Sequence, residues 1–118
     1  MGGWIGVDLD GTLATYDGWN GPEHIGEPVA PMVERVKRWL AEGYEVRIFT
    51  ARVSGDRQGM SPNLTMRVIE IWCQTHIGQV LPITCVKDFG MIELWDDRSV
   101  AVEANTGRAL SPSRRGLG

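Results

Sequence analysis

Cysteine, histidine and lysine are scarce in this chain. It has two cysteines, Cys73 and Cys85, and two histidines, His24 and His76. Zinc sites of the usual kind need closer cysteine pairs with histidine partners. Both cysteines lie inside apolar segments, so we expect buried, reduced thiols in a reducing compartment, the cytoplasm.

Long apolar runs and excess positive charge are also lacking. No apolar run approaches the roughly 18 residues of a membrane span. No basic region precedes an apolar stretch at the N-terminus, where an acidic residue already stands at Asp8, so a signal peptide is not expected. The net charge of −3 argues against a protein that grips nucleic acid through bulk positive charge.

The composition is that of an ordinary globular domain. The chain has 118 residues, of which 42% are apolar and 23% charged. A chain of this size forms one compact core without disulfides or structural metal. We expect one domain over residues 1–110 and a flexible basic tail over residues 111–118.

Strand-like and helix-like segments alternate along the chain. Four segments have the length and pattern of strands, namely residues 4–7, 44–50, 81–86 and 91–95. Apolar residues from Val29 to Leu40 recur at helical spacing, with Gly43 as a stop signal. A second helix starts at Ser61-Pro62, with a predicted apolar face made of Leu64, Val68, Ile71, Trp72 and Thr75.

This order predicts an α/β fold, a Rossmann-like parallel sheet flanked by helices. Residues 14–28 and 51–60 are predicted loops. In such sheets ligands bind outside the carboxyl ends of the strands. The residues with reactive side chains follow those ends, namely Asp8, Asp10, Thr50, Arg52, Lys87, Asp96 and Asp97.

The acidic residues at these strand ends predict a cation site. Several carboxylates converging at a sheet edge repel one another unless a cation compensates them. Carboxylate oxygens favour Mg²⁺, which also holds phosphate groups.

Asp8 and Asp10 have the spacing of a catalytic pair. Residues i and i+2 of an extended chain project to the same side, so both carboxylates can address one ligand. One carboxylate can attack phosphorus, and the other can protonate the leaving oxygen and later activate water. Lys87 and the cation would neutralise the phosphoryl charge, while Thr50 and nearby backbone N–H groups would hold the phosphoryl oxygens.

These segments resemble the motifs of the haloacid dehalogenase (HAD) superfamily. The run from Asp8 to Leu13 is similar to the first motif, Thr50 to the second, Lys87 to the third, and Asp96-Asp97 to the acidic fourth. The resemblance covers residues 4–98, with all motifs in order. It implies a HAD-like core and Mg²⁺-dependent phosphoryl transfer, as in very short hydrolases without a cap domain.

The resemblance also implies a role for each motif residue. Asp8 would be the nucleophile, Asp10 the general acid/base and Lys87 the charge-stabilising residue. Phosphate would bind at Thr50. Apart from the resemblance, we expect Ala51 and Arg52 to bind substrate, because the loop that they begin borders the predicted site. The Mg²⁺ ligands would be Asp8, the backbone carbonyl of Asp10, and Asp96, with Asp97 as a further ligand or as a partner of the ligands.

Two features depart from the family pattern. Lys87 precedes Asp96 by only nine residues, which is close for this family. The 15 residues of the 14–28 loop cannot hold a cap domain. Water must therefore be excluded by this loop, by the 51–60 loop, by a partner subunit or by the substrate itself.

The function we expect is a phosphomonoesterase that acts on a phosphorylated small molecule or nucleotide. One alternative is a phosphatase of nucleic-acid 3′ or 5′ ends, which a site without a cap could admit. The other is a regulatory module that accepts a phosphoryl group or binds a metal without turnover. Asp10 separates the regulatory module from the two phosphatases, because a second carboxylate two residues on supplies turnover.

Overall fold

The structure, a computed structural model, describes residues 2–55 and 61–112. These residues form four strands, two α-helices and one short 3₁₀ helix. In chain order they are β1 (Trp4–Asp8), α1 (Ala30–Ala41), β2 (Glu45–Phe49), the 3₁₀ helix (Ala51–Val53), α2 (Pro62–His76), β3 (Ile83–Thr84) and β4 (Met91–Trp95).

The four strands form one parallel sheet in the order β3-β2-β1-β4. In its register, Asp8 of β1 lies beside Phe49 of β2, and Val7 lies beside Trp95 of β4. The carboxyl ends of the strands therefore meet at one edge, as the sequence predicts. The α/β fold with a parallel sheet and flanking helices is confirmed.

Both helices pack on the same face of the sheet. Ile5 and Val7 of β1 share one core cluster with Val36 of α1 and Ile69 of α2. Along the chain, β1, β2 and β3 occupy successive positions in the sheet in one direction, with α1 and α2 as the connecting helices. Because such crossovers are right-handed, both helices are placed over one face.

Strand alternation directs Asp8 away from this core. Trp4 and Gly6 share its face, opposite Ile5 and Val7. Trp4 is buried there: its indole N–H donates to Asp88 Oδ1 at 2.8 Å, and the Arg47 guanidinium lies 4.5 Å from a ring centroid.

The helix boundaries follow the predicted signals. In α2, Ser61 caps the first turn by accepting a hydrogen bond from the backbone N–H of Leu64 at 3.4 Å, and Pro62 is the first helical residue. After α1, Gly43 takes a φ of 92°, a conformation that glycine adopts without steric cost.

The predicted apolar face of α2 was right at Trp72 and otherwise wrong, because the buried face is rotated about the helix axis. Leu64 is 43% exposed and Ile71 is 52% exposed. The buried stripe consists of Thr65, Ile69, Trp72 and Cys73. Thr65 contributes to this stripe because its side chain carries a methyl group beside the hydroxyl. A pattern that counts this threonine as polar overlooks the methyl group.

The strand predicted over residues 81–86 is reduced to Ile83–Thr84, which pair with the end of β2. Residues 56–60 of the predicted second loop and residues 113–118 of the predicted tail lie outside the described residues. Neither described α-helix is long and apolar enough to cross a membrane.

Candidate active site

The chain leaves β1 through a tight turn that follows Asp8. The backbone N–H groups of Leu13 and Ala14 both donate to the carbonyl of Leu9, at 3.0 and 2.8 Å. Gly11 has a φ of 94°, and a Cβ there would lie 2.7 Å from a carboxylate oxygen of Asp97. Any other residue at this position would be strained and would also displace Asp97.

Three carboxylates converge beside this turn. Asp8, Asp96 and Asp97 each place a ligand oxygen within 4.8 Å of the others. They come from the ends of β1 and β4, which are neighbours in the sheet. We call this group the carboxylate cluster.

Hydrogen bonds fix the cluster in place. The Thr12 hydroxyl accepts from the backbone N–H of Asp97 at 3.0 Å, and lies 3.4 Å from Asp8 Oδ2 and 3.3 Å from Asp97 Oδ1. Asp96 Oδ1 accepts from the backbone N–H of Arg98 at 2.8 Å. Thr12 therefore links the ends of β1 and β4.

The electrostatics of the cluster are unfavourable without a cation. Burial raises the pKa of Asp8 to about 8, and the charges of Asp96, Asp97 and Asp10 add to this increase. A carboxylate with such a pKa is largely protonated at neutral pH. A divalent cation among these oxygens would remove the repulsion and restore the ionised form.

The cluster fits a hard divalent cation such as Mg²⁺. The donors are carboxylate oxygens, which Mg²⁺ and Ca²⁺ prefer, and no histidine or cysteine belongs to the cluster. The side chains of Asp8, Asp96 and Asp97 would hold the ion. The Asp10 carboxylate is not part of the cluster, so a metal contact from this residue would have to come from its backbone carbonyl.

Whereas the Asp8 carboxylate faces other carboxylates, the Asp10 carboxylate faces a positive charge. Its two carboxylate oxygens accept hydrogen bonds from Nε and Nη2 of Arg52, at 2.8 and 2.9 Å. Both side chains are shielded from solvent, with 5% of Arg52 and 19% of Asp10 exposed. A bidentate, charge-assisted pair of this kind fixes the orientation of the carboxylate.

Thr50 and Ala51 lie at the end of β2, beside this pair. Thr50 is buried, and its hydroxyl accepts from the backbone N–H of Arg52 at 3.1 Å, which starts the 3₁₀ helix. As an acceptor in that bond, the hydroxyl can still donate its own hydrogen outward.

These residues surround a cavity of about 470 Å³. The 14–28 loop contributes Tyr16 and Trp19 to its wall. The other lining residues are Asp8, Asp10, Gly11, Phe49, Thr50, Ala51, Arg52, Asp96, Asp97 and Arg98. The structure thus brings the first, second and fourth predicted motifs to one cavity.

Lys87 is placed differently. It follows β3, its side chain is exposed, and it is not among the residues that line the cavity. Its neighbour Asp88 anchors the segment, because Asp88 Oδ1 accepts from Trp4 Nε1 and from the backbone N–H of Gly90, each at 2.8 Å. The role of Lys87 as the charge-stabilising residue stays a prediction.

The pairing of Arg52 with Asp10 was not predicted, since Arg52 was expected to contact substrate. The signal for it was present in the strand register. Because Asp8 lies beside Phe49, the ends of β1 and β2 are neighbours, and the segments that follow them leave the sheet at the same edge. The long side chain of Arg52, three residues past the end of β2, can therefore reach Asp10.

Comparisons with known proteins add support for the fold alone. The chain matches no family model and no curated protein. A solved structure of a conserved protein from Bacteroides thetaiotaomicron is similar, with a TM-score of 0.56 and 24% sequence identity over 81% of this chain and 76% of that one.

Proposed function

We propose that this protein is a Mg²⁺-dependent phosphomonoesterase of the HAD type that acts through an aspartyl-phosphate on Asp8. The observation that carries this proposal is the contrast between two carboxylates on one turn. Asp8 lies in the carboxylate cluster, whereas Asp10 is paired with Arg52. Nucleophile and acid/base need such different environments at close range.

In the first step, an Asp8 carboxylate oxygen attacks the phosphorus of the substrate. The new bond joins Asp8 to phosphorus, the ester P–O bond breaks, and the leaving oxygen takes a proton from the carboxyl group of Asp10, which carries a proton taken up from solvent or from the water of the preceding turnover. Thr50 donates its hydroxyl hydrogen to a phosphoryl oxygen. Lys87 is the proposed further cation, which would have to approach from the exposed segment after β3.

In the second step, a water molecule attacks the phosphorus of the aspartyl-phosphate. Asp10 takes a proton from this water, the bond between phosphorus and Asp8 breaks, and inorganic phosphate leaves. The ionised, Arg52-paired form of Asp10 is the form that accepts this proton. When bound, Mg²⁺ supplies positive charge that offsets the repulsion between phosphate and carboxylates.

The dimensions of the cavity favour a small phosphorylated molecule or a nucleotide as substrate. A volume of about 470 Å³ is in the usual range for small-molecule sites. Tyr16 and Trp19 offer flat apolar surfaces to the leaving group. We also propose a cytoplasmic location, which the free thiols of Cys73 and Cys85 support.

A phosphatase screen tests the proposed function. Purified protein is incubated with nucleotides, sugar phosphates, phosphopeptides and oligonucleotides phosphorylated at the 3′ or 5′ end, with Mg²⁺ or with EDTA. We expect inorganic phosphate to be released from at least one small substrate only with Mg²⁺, and Asp8→Asn to abolish the release. Preferred release from oligonucleotides would favour the nucleic-acid alternative. A stable phosphoprotein without turnover would favour the regulatory module.

A further inference from the structure

Arg52 makes contacts in two directions. Within the described residues its guanidinium donates four hydrogen bonds, two of them to the Asp10 carboxylate. The other two go to backbone carbonyls of the 14–28 loop, from Nη1 to Pro22 at 3.3 Å and from Nη2 to His24 at 2.8 Å. The guanidinium carbon also lies 5.0 Å from the ring centroid of Trp19.

The two ends of this loop are anchored independently of Arg52. The backbone N–H of Thr15 donates to the carbonyl of Glu27 at 2.8 Å, and Ala14 forms an isolated bridge with Pro28. The Trp72 indole N–H donates to the carbonyl of Gly26 at 3.0 Å. The contacts of Arg52 fall between these anchors, on residues 19–24.

We propose that Arg52 is a positioning residue that couples the 14–28 loop to the acid/base carboxylate of Asp10. One buried guanidinium orients Asp10 and holds the middle of the loop against the cavity. The orientation of Asp10 for proton transfer, the catalytic half of this inference, rests on the proposed function. The contacts that hold the loop, the structural half, do not. Arg52 is thereby assigned to orienting Asp10 and the loop, and not to direct contact with phosphate.

The geometry of arginine is what makes this coupling possible. The planar guanidinium presents its N–H groups in a fixed fork, so it can bind both carboxylate oxygens and two carbonyls at once. A lysine ammonium is a compact charge that can pair with Asp10 but cannot span the carboxylate and both loop carbonyls. With a side chain only 5% exposed, Arg52 has little freedom to exchange these partners for water.

The coupling has a consequence for catalysis. Asp10 must meet the leaving oxygen of the substrate, and the loop residues Tyr16 and Trp19 line the cavity that receives the leaving group. Movement of the loop away from Arg52 would remove two of its four hydrogen bonds and loosen the orientation of Asp10. Loop position and proton transfer are therefore expected to change together.

Hydrogen exchange of the substrate-free protein tests the structural half. In Arg52→Met, which keeps a long unbranched side chain but has no donors, the amide of His24, which donates to the Gly21 carbonyl at 3.3 Å, should exchange at least ~10-fold faster. Amides of α2 should keep their protection, which shows that the fold is intact. Arg98→Gln is the matched control, because it removes one positive charge from the same cavity, and loop exchange should not change.

Kinetics with two substrates test the catalytic half. An alkyl phosphate has a poor leaving group that needs the proton of Asp10, whereas an activated aryl phosphate needs it far less. Arg52→Met should lower kcat about 10-fold more on the alkyl than on the aryl phosphate. Arg52→Lys should restore most of this ratio through its charge while loop exchange stays fast. A merely structural role would lower both activities equally.

Two results would overturn the coupling. One is unchanged loop exchange in both Arg52→Met and Arg52→Lys, and the other is an alkyl-to-aryl ratio equal to that of the wild type in Arg52→Met. If the wild-type protein hydrolyses neither phosphate, the proposed function fails, and hydrogen exchange alone decides whether Arg52 holds the loop.

Discussion

Asp8 and Asp10 are two residues apart on one turn, yet their surroundings are opposite. Asp8 faces the carboxylates of Asp96 and Asp97, and burial with this repulsion raises its pKa to about 8. Asp10 faces the Arg52 guanidinium in a bidentate ion pair. The difference lies in the side-chain partners: Asp96 and Asp97, which follow β4, lie beside Asp8, whereas Arg52, which follows β2, pairs with Asp10.

This contrast suggests how one turn can perform two kinds of chemistry. A carboxylate that lies among other carboxylates can bind a cation. With the cation bound, it is ionised and can act as a nucleophile. A carboxylate held by a guanidinium is oriented without any metal, and in this ionised form it can take a proton from the attacking water. The predictions below change one side of the contrast at a time.

Asp8→Asn should have the largest effect. The substitution keeps the size of the side chain but removes the attacking charge, so turnover of an aryl phosphate should fall by at least ~10³-fold, or about 4 kcal/mol of barrier. Steady-state phosphate release measures this loss. Near-normal turnover in Asp8→Asn would contradict covalent catalysis at this residue.

Asp10→Asn and Asp96→Asn should separate proton transfer from metal binding. Asp10→Asn should slow turnover by ~10²–10⁴-fold with Mg²⁺ affinity nearly unchanged, because its carboxylate pairs with Arg52 and not with the cluster. Asp96→Asn should weaken Mg²⁺ binding, because it removes one of the three clustered carboxylates. Magnesium titrations by calorimetry check both, and the reverse pattern of affinities would exchange the two roles.

Lys87→Met should lower turnover less than Asp8→Asn or Asp10→Asn. An exposed ammonium interacts with the phosphoryl group through water and salt, which screen its charge. We expect kcat to fall about 10-fold, with Mg²⁺ affinity unchanged. Lys37→Met is the matched control, because Lys37 is also an exposed lysine but lies on α1 and does not line the cavity. A loss as large as that of Asp8→Asn would mean that the segment after β3 moves to the cavity during turnover.

The stability of the metal-free protein should depend on pH through Asp8. Its raised pKa means that the folded state favours the protonated carboxyl group, so this contribution is complete below an ordinary aspartate pKa and is lost as pH rises through about 8. Between pH 5 and pH 9 we expect Tm to fall by on the order of 5 °C without Mg²⁺.

Two controls sharpen this pH prediction. Mg²⁺ should raise Tm more at pH 9 than at pH 5, because it compensates the ionised cluster. Asp8→Asn should remove most of the pH-dependent loss, since asparagine does not titrate. A Tm that rises with pH in the metal-free wild type would contradict the assigned environment of Asp8.

The parts of the fold that local chemistry determines could be predicted from the sequence. Ser61 and Pro62 mark the start of α2 because capping acts within one turn, and Met91–Trp95 is the strand that its apolar pattern predicts. The convergence of the motifs at one edge follows from the parallel order of the strands. Asp8 and Asp97 meet for this reason.

The remaining features depend on contacts between distant residues. The ion pair between Arg52 and Asp10 joins residues 42 positions apart, and it forms because a short 3₁₀ helix turns the Arg52 side chain toward β1. The segment after β3 is positioned by the bond between Trp4 and Asp88, which no local pattern around Lys87 reveals. Such pairs are determined by loop conformation, which sequence periodicity does not specify.

The central claim is that Asp8 carries the phosphoryl group during turnover, and acid quenching tests it most directly. Protein mixed with Mg²⁺ and an excess of an aryl phosphate that it hydrolyses is quenched in acid within the first turnovers, digested and analysed by mass spectrometry. The account predicts the mass of one phosphoryl group on the peptide that contains Asp8, and its absence in Asp8→Asn. Turnover without any phosphorylated peptide, or a phosphoryl group on another residue, would contradict it.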